Sequence, residues 1–167
     1  DSLLDLAQAR VAGSVRLRTE PVHLPEILDR VIAEHQLLFP GRAIDVQSEG
    51  NLRGVWDPAR LHRLFANLIG NALQHGARNG PVRVHLDGTD PDRVRLRVSN
   101  EGAIPPGLVG DLFNPFRGSS FRDRNGLGLG LFSAQQIARA HGGDVEVRSS
   151  EEEGTHVDVT LARNVEA

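Results

Sequence analysis

Two asparagines one helical turn apart, Asn67 and Asn71, stand in the stretch RLHRLFANLIGNALQHG that runs from Arg60 to Gly76. Leu61, Leu64, Phe65, Leu68 and Ala72 recur there at the i, i+3, i+4 spacing of a buried helix face. Asn67, Asn71, Gln74 and His75 recur at nearly the same spacing, so they form a polar stripe beside the apolar one. Asparagine competes with the backbone for hydrogen bonds and prefers caps and turns, so two of them inside a helix suggest that the side chains have a task. A neutral amide oxygen is a hard ligand, suited to one position around Mg²⁺ whose other ligands are phosphate oxygens and water. A solvated helix face accounts for the same spacing without any chemistry.

Three further stretches bear on this helix. Gly126-Leu127-Gly128-Leu129-Gly130-Leu131 alternates glycine and leucine and leads straight into a helical pattern. Glycines let the backbone approach a ligand closely, and the first free N–H groups of a helix make an anion site for which a triphosphate is the natural guest. A tight loop under no chemical demand explains the same residues. Asn100-Glu101-Gly102 ends a strand pattern, where an amide can accept from an adenine amine while donating to a ring nitrogen; it is also a good turn. Gly154-Thr155 opens the last strand, with a hydroxyl within reach of a base or a water.

The elements that must position these residues follow from patterning. Val15 and Leu17 alternate with Arg16 and Arg18, as in a short edge strand. Leu24–Leu38 reads as a helix with Pro25 in its first turn, ended by Pro40-Gly41. Ala43–Ser48 and Gly54–Trp56 read as strands, and Asp57-Pro58 supplies an N-cap and a first-turn proline for the asparagine-bearing helix. Val82, Val84 and Leu86 alternate with Arg83, His85 and Asp87, and Val94, Leu96 and Val98 with Arg93, Arg95 and Arg97. They predict a hairpin joined through Gly88–Asp92 with one apolar and one wet face. The chain is then loop-rich to Gly130, apart from a helical piece at Leu108–Phe113; Leu131–His141 is helical, and strands around Val145 and Val157 close the chain. This order predicts an α+β fold, a two-layer α/β sandwich with helices on one face of a largely antiparallel, mixed sheet.

At 167 residues the chain accommodates one domain. Its formal net charge of -3, with both signs interspersed, offers no basic stripe to nucleic acid. Cysteine is absent, which excludes disulfides and thiolate chemistry. No apolar run approaches the roughly 20 residues of a membrane span, and no signal peptide opens the chain. DSLLDLAQAR at the start has no capping residue and reads as the last turns of a helix begun earlier in a longer polypeptide. The expected division is residues 1–12 as the end of an upstream helix and its linker, 13–163 as the main domain and 164–167 as a tail.

In this order and spacing, the four stretches resemble the ATP-binding catalytic domain of the bacterial sensor histidine kinases, in the superfamily that includes gyrase and mismatch-repair ATPases. The resemblance runs from Leu17 to Leu161. Asn67-x-x-x-Asn71-Ala72 looks like the family's N box, Asn100-x-Gly102 its first glycine box, Phe113-x-Pro115-Phe116 its F box and Gly126–Leu131 its second glycine box. Asn-Glu-Gly-Ala-Ile-Pro-Pro followed by Leu-Phe-Asn-Pro-Phe-Arg looks most like the phytochrome-type kinases. The resemblance implies a Bergerat-type ATP-binding fold, ATP and Mg²⁺ as ligands, and a mobile lid over Pro105–Asn125. It makes Asn71 the amide bridging metal and phosphates, supported by Asn67, with Asn100 and Thr155 toward the adenine end and Gly102, Ile104 and Phe116 among the nucleotide-binding residues. Gln74 and His75 follow on the same helix, and the backbone of Gly126, Leu127, Gly128, Leu129, Gly130 and Leu131 would line the phosphates.

Three departures stand out. Asn100 occupies a position that usually holds Asp; the next glycine of the first box is missing; and Gln74 replaces a frequent basic residue. Arg117, Arg122 or Arg124 could supply the lost charge, and Arg117 is the expected catalytic arginine. No carboxylate lies where a water-activating ATPase would hold its base, so hydrolysis should be slow. His23, His35, His62, His75, His85, His141 and His156 are each followed by something other than Asp or Glu, so the phosphoacceptor lies outside the chain; most are read as surface residues. The resemblance thus implies a cytoplasmic enzyme domain that passes the γ-phosphate to a histidine on an upstream helical hairpin and thence serves a response regulator receiver domain. The isolated domain would be monomeric and its parent a homodimer. The alternative is a kinase-like nucleotide-binding or interaction module without turnover.

Overall fold

The computed structural model describes residues 16–75, 80–103 and 127–165. Ten elements follow in the order β1 Glu20–His23, α1 Leu24–Leu38, β2 Ile44–Gly50, β3 Arg53–Trp56, α2 Pro58–His75, β4 Val82–Gly88, β5 Arg93–Asn100, α3 Leu127–Ala140, β6 Asp144–Ser150 and β7 Gly154–Ala162. Five strands form one sheet in the order β2-β4-β5-β7-β6. Only β2 against β4 is parallel; the other three ladders are antiparallel.

The alternation read from the sequence becomes rows across this sheet. Val84, Val98, Val157 and Val147 stand side by side in register, as do Leu86, Leu96, Val159 and Val145. A period of two puts every one of them on the same face. That face is buried under the three helices, which contribute Leu28 and Val31 from α1, Leu61, Leu64, Phe65, Leu68 and Ile69 from α2, and Leu131, Ala134 and Ile137 from α3. Each large apolar side chain so buried contributes about 1.5–3 kcal/mol relative to exposure. The opposite face is charged: Arg97 Nε pairs with Asp158 Oδ1 at 2.6 Å, and His85 Nε2 lies 3.1 Å from Glu49 Oε1. The result is the two-layer sandwich with a mostly antiparallel sheet that the patterning predicts.

Three expectations need correction. The first strand falls at Glu20–His23, not around Val15–Arg18, where Arg16–Thr19 have no regular structure. Its partner is β3, in a separate two-stranded ribbon, where a missing ladder donor at Pro21 is tolerated at an edge. Second, α3 begins at Leu127 rather than Leu131, so the alternating glycines form its first turn. Glycine's low helix propensity masks this start in the sequence; packing of the following Leu131 and Ala134 overrides it. Third, His141 is no surface residue but wholly buried.

The ribbon is tied to the end of the last strand. The indole of Trp56, fully buried, donates from Nε1 to Ala162 O at 2.7 Å. Gly54 gives it room, since a Cβ there would stand 2.4 Å from the Trp56 ring and equally close to Arg163 O. Arg163, buried to 8% exposure, spends every guanidinium donor on a backbone carbonyl. Nε donates to Pro91 O at 3.0 Å, Nη1 to Asn51 O and Arg53 O at 2.7 and 2.9 Å, and Nη2 to Gly88 O and Asp90 O at 3.0 and 2.6 Å. Five oxygens around one cation replace the water it gives up on burial.

Candidate functional site

Asp57 starts the asparagine helix. Its Oδ1 accepts from the Arg60 N–H at 3.1 Å, the N-cap geometry, and Oδ2 accepts from the Arg18 N–H at 2.9 Å. The Asp57 N–H in turn donates to His141 Nε2 at 3.1 Å, and His141 Nδ1 donates to Ile137 O at 2.8 Å. The imidazole is therefore neutral and carries its proton on Nδ1. Burial pushes its pKa below the ordinary histidine value, against smaller opposing effects of the Ile137 carbonyl and the Asp57 charge. Through this ring the start of α2 is fixed to the end of α3, an arrangement no spacing in the sequence announces.

With both helices fixed, Asn71 falls where α2 meets the first turn of α3, with Asn67 one turn earlier on α2. Asn67 and Asn71 are half-buried, and Nδ2 of each is buried without a hydrogen-bond partner among the described residues. Gly130 lies against Asn71: a Cβ added to it would stand 3.4 Å from Asn71 Nδ2 and 3.6 Å from Oδ1. The N–H groups of a first helical turn have no intrahelical acceptor, so donors from two helices converge here. An amide donor suits a phosphate oxygen, and the oxygen of the same carboxamide suits a hard divalent cation. The residues thus fit both groups that the sequence implies. None of the 18 residues of α2 is Asp or Glu, so the helix offers no carboxylate to activate water.

A second group of expected residues meets at one end of the sheet. Asn100, the last residue of β5, pairs in register with Thr155 of β7. Its Nδ2 donates to Glu101 O at 2.8 Å. Thr155, 6% exposed, donates from Oγ1 to Gly102 O at 2.9 Å and lies 2.9 Å from Ser149 Oγ, a neighbour the sequence did not suggest. Gly154 takes a φ of +77°, and a Cβ on it would come 2.4 Å from Asn100 O, so only glycine lets the two strands close up here.

The remaining expected residues fall apart from these two groups or outside the description. Gln74 is exposed, and the side chain of Leu131 points into the core, so only its backbone could serve a ligand. The side chains of His75, Leu127 and Leu129 lie outside the described residues, as do Ile104, Phe116, Arg117, Arg122, Arg124 and Gly126, the F box and the lid segment. A basin of about 600 Å³ opens on the far, charged face of the sheet between Asp87, Arg95, Arg148 and Asp158. It holds none of the expected residues and is lined by charges already facing one another, so it does not compete as the site.

The two-layer sandwich thus brings a carboxamide of α2 against the glycine-rich start of α3. The chain belongs to the histidine kinase-, DNA gyrase B- and HSP90-like ATPase family, whose profile matches residues 56–165. Within it, this is a catalytic ATPase domain of the sensor histidine kinase type. It is 34% identical over 148 residues to a bacteriophytochrome of Pseudomonas aeruginosa, covering 85% of this chain and 20% of that protein. It is 36% identical over 156 residues to the signal transduction histidine-protein kinase AfsQ2 of Streptomyces coelicolor, covering 92% of this chain and 28% of that protein. The structure of the mycobacterial sensor histidine kinase MprB superposes with a TM-score of 0.75 at 27% identity, over 89% of this chain and 100% of that one.

Proposed function

We propose that the chain binds ATP with Mg²⁺ and presents the γ-phosphate to a histidine carried on an upstream helical hairpin, in a cytoplasmic protein that serves a response regulator receiver domain. The observation that carries this reading is the pair of buried Nδ2 donors of Asn67 and Asn71, without a partner among the described residues, with Asn71 beside Gly130. Burying a polar group without a partner costs about 1–3 kcal/mol, and a phosphate oxygen at each donor would remove that cost. Asn71 Oδ1 would hold Mg²⁺, which when bound neutralises phosphate charge. Asn67 supports Asn71 one turn away, and Gly128 and Gly130 keep the start of α3 open to phosphate. Asn100 and Thr155 sit at the base end. Residues 1–12 are proposed as the end of the helix that carries on into the hairpin, and the parent protein as a homodimer.

The test is twofold. Calorimetric titration of the chain with a non-hydrolysable ATP analogue, with and without Mg²⁺, should show binding that needs the metal. Addition of a purified upstream hairpin and ATP should then give acid-labile, base-stable phosphate on the hairpin. Metal-dependent binding with no transfer to any hairpin would establish the module without turnover instead.

A further inference from the structure

We infer that Asp57 is a positioning residue that couples the stretch of chain leading into the domain, at Arg18, to the nucleotide site, so that a pull on that stretch changes how tightly nucleotide is held. The inference rests on the reading above that Asn71 and the start of α3 hold Mg²⁺·ATP and that the residues ahead of β1 lead to an upstream helix. Asp57 is 5% exposed. Its Oδ2 accepts from the Arg18 N–H at 2.9 Å and its Oδ1 from the Arg60 N–H at 3.1 Å. Its carbonyl accepts from the Leu61 N–H at 3.0 Å, and its own N–H donates to His141 Nε2 at 3.1 Å. Three parts of the molecule thus meet on one residue: the lead-in to β1, the first turn of α2 and, through His141, the end of α3.

Capping alone does not ask for this. Ser, Thr or Asn would serve the Arg60 N–H as well. Of the residues that cap helices well, only Asp puts an accepting oxygen on each side; an amide with its oxygen on Arg60 would turn hydrogens against the Arg18 N–H. The ladder explains why Arg18 is within reach: Glu20 pairs with Trp56, so the chain ahead of β1 runs directly past Asp57. From there the displacement has a path to the site. The start of α2 is joined to the end of α3, while Asn71 lies beside Gly130 near the start of α3, so the two helices run antiparallel with Asp57 at one end of the pair and the carboxamide toward the other. Asn71 lies about 21 Å from Asp57 along the axis of α2. A hydrogen-bonded helix carries a shift of its first turn along its whole length, so moving Asp57 moves Asn71 against Gly130.

Titration calorimetry with a non-hydrolysable ATP analogue and Mg²⁺ tests the inference on the wild-type chain, Asp57→Asn, Arg18→Pro, which removes the donating N–H from the other side, and the double variant. The Arg18 side chain is exposed, so Arg18→Ala serves as a control that keeps the N–H and should bind as the wild type does. Asp57→Asn and Arg18→Pro should each weaken binding about fivefold or more, and the double variant no more than the larger single loss, because all three remove the same bond. Coupling is reciprocal, so saturating analogue should slow hydrogen exchange at the Arg18 amide of the wild type by a similar factor, beyond any slowing at the Asn51 amide, which is bonded to Gly88 O. A cap that merely holds α2 together produces no such difference, and this measurement decides the matter where a variant does not fold. Wild-type affinity in Arg18→Pro with an unchanged circular dichroism spectrum, additive losses in the double variant, or an Arg18 amide no more protected than that of Asn51 would each overturn the inference. If the analogue fails to bind the wild type, the nucleotide reading falls and this inference with it; if it binds and the Arg18 tie proves silent, the coupling alone falls.

Discussion

His141 and Asn71 show how differently two polar side chains can be held in one interior. The histidine ring has a partner at each nitrogen, Asp57 N–H and Ile137 O, and stays neutral. Because burial lowers its folded pKa, the unfolded chain binds the proton more readily. Its contribution is therefore full above pH of about 6.5, the ordinary histidine value, and is lost as the pH falls from there toward the lowered folded value. Urea midpoints measured at pH 7.5 and 5.5 should fall more steeply for the wild type than for His141→Gln, which should start lower. Asn71, by contrast, keeps its Nδ2 without a partner among the described residues. Asn71→Asp should leave the circular dichroism spectrum unchanged but weaken binding of the Mg²⁺·ATP analogue by about tenfold or more, since it exchanges a donor facing phosphate for a negative charge. Unaltered affinity would argue that this carboxamide touches neither metal nor phosphate.

At the level of the element, α2 is legible in the sequence and the start of α3 is not. The apolar spacing of Leu61, Leu64, Phe65 and Leu68 and the Asp57-Pro58 cap signal agree with each other, and the structure has both. The glycines before Leu131 argue locally against helix, and only the packing of α3 on α2 decides the matter. The same limit hid the β1–β3 ribbon, since β1 is four residues long and contains Pro21, and its pairing depends on a distant strand. Asn67, Asn71, Asn100 and Thr155 were recognisable as polar residues at unusual places; the ring of His141 that fixes α2 to α3 was not, because a buried histidine leaves no periodic mark. A trade follows at Gly130. Gly130→Ala places a methyl at ordinary contact distance from Asn71, so the fold tolerates it and the helix gains up to about 1 kcal/mol. Thermal melting should shift upward while affinity for the nucleotide analogue falls; a variant that binds as well as the wild type would show that the space beside Asn71 is not used.

For the whole molecule, a helix layer without a carboxylate on α2 predicts an ATPase that barely turns over alone. Steady-state assays of the chain with Mg²⁺·ATP should yield little phosphate, and a purified hairpin should raise the turnover of nucleotide. Fast hydrolysis without any hairpin would mean that a base other than an α2 carboxylate activates the water. The sheet's own integrity rests heavily on one cation. Replacing Arg163 with Lys leaves three donors for five carbonyls, and the expected loss is about 3–5 kcal/mol in urea unfolding, of the order found when a buried charge loses its partners.

That guanidinium gathers oxygens from Asn51, Arg53, Gly88, Asp90 and Pro91, all of which leave the ribosome far ahead of it. A nascent chain stalled before Arg163 emerges should have its hairpins formed yet unlaced, and be cut readily by protease. Release of the next few residues should convert it at once to the resistant form, which makes the emergence of the residue just past the closing strand, rather than of the helices, the step that confers resistance.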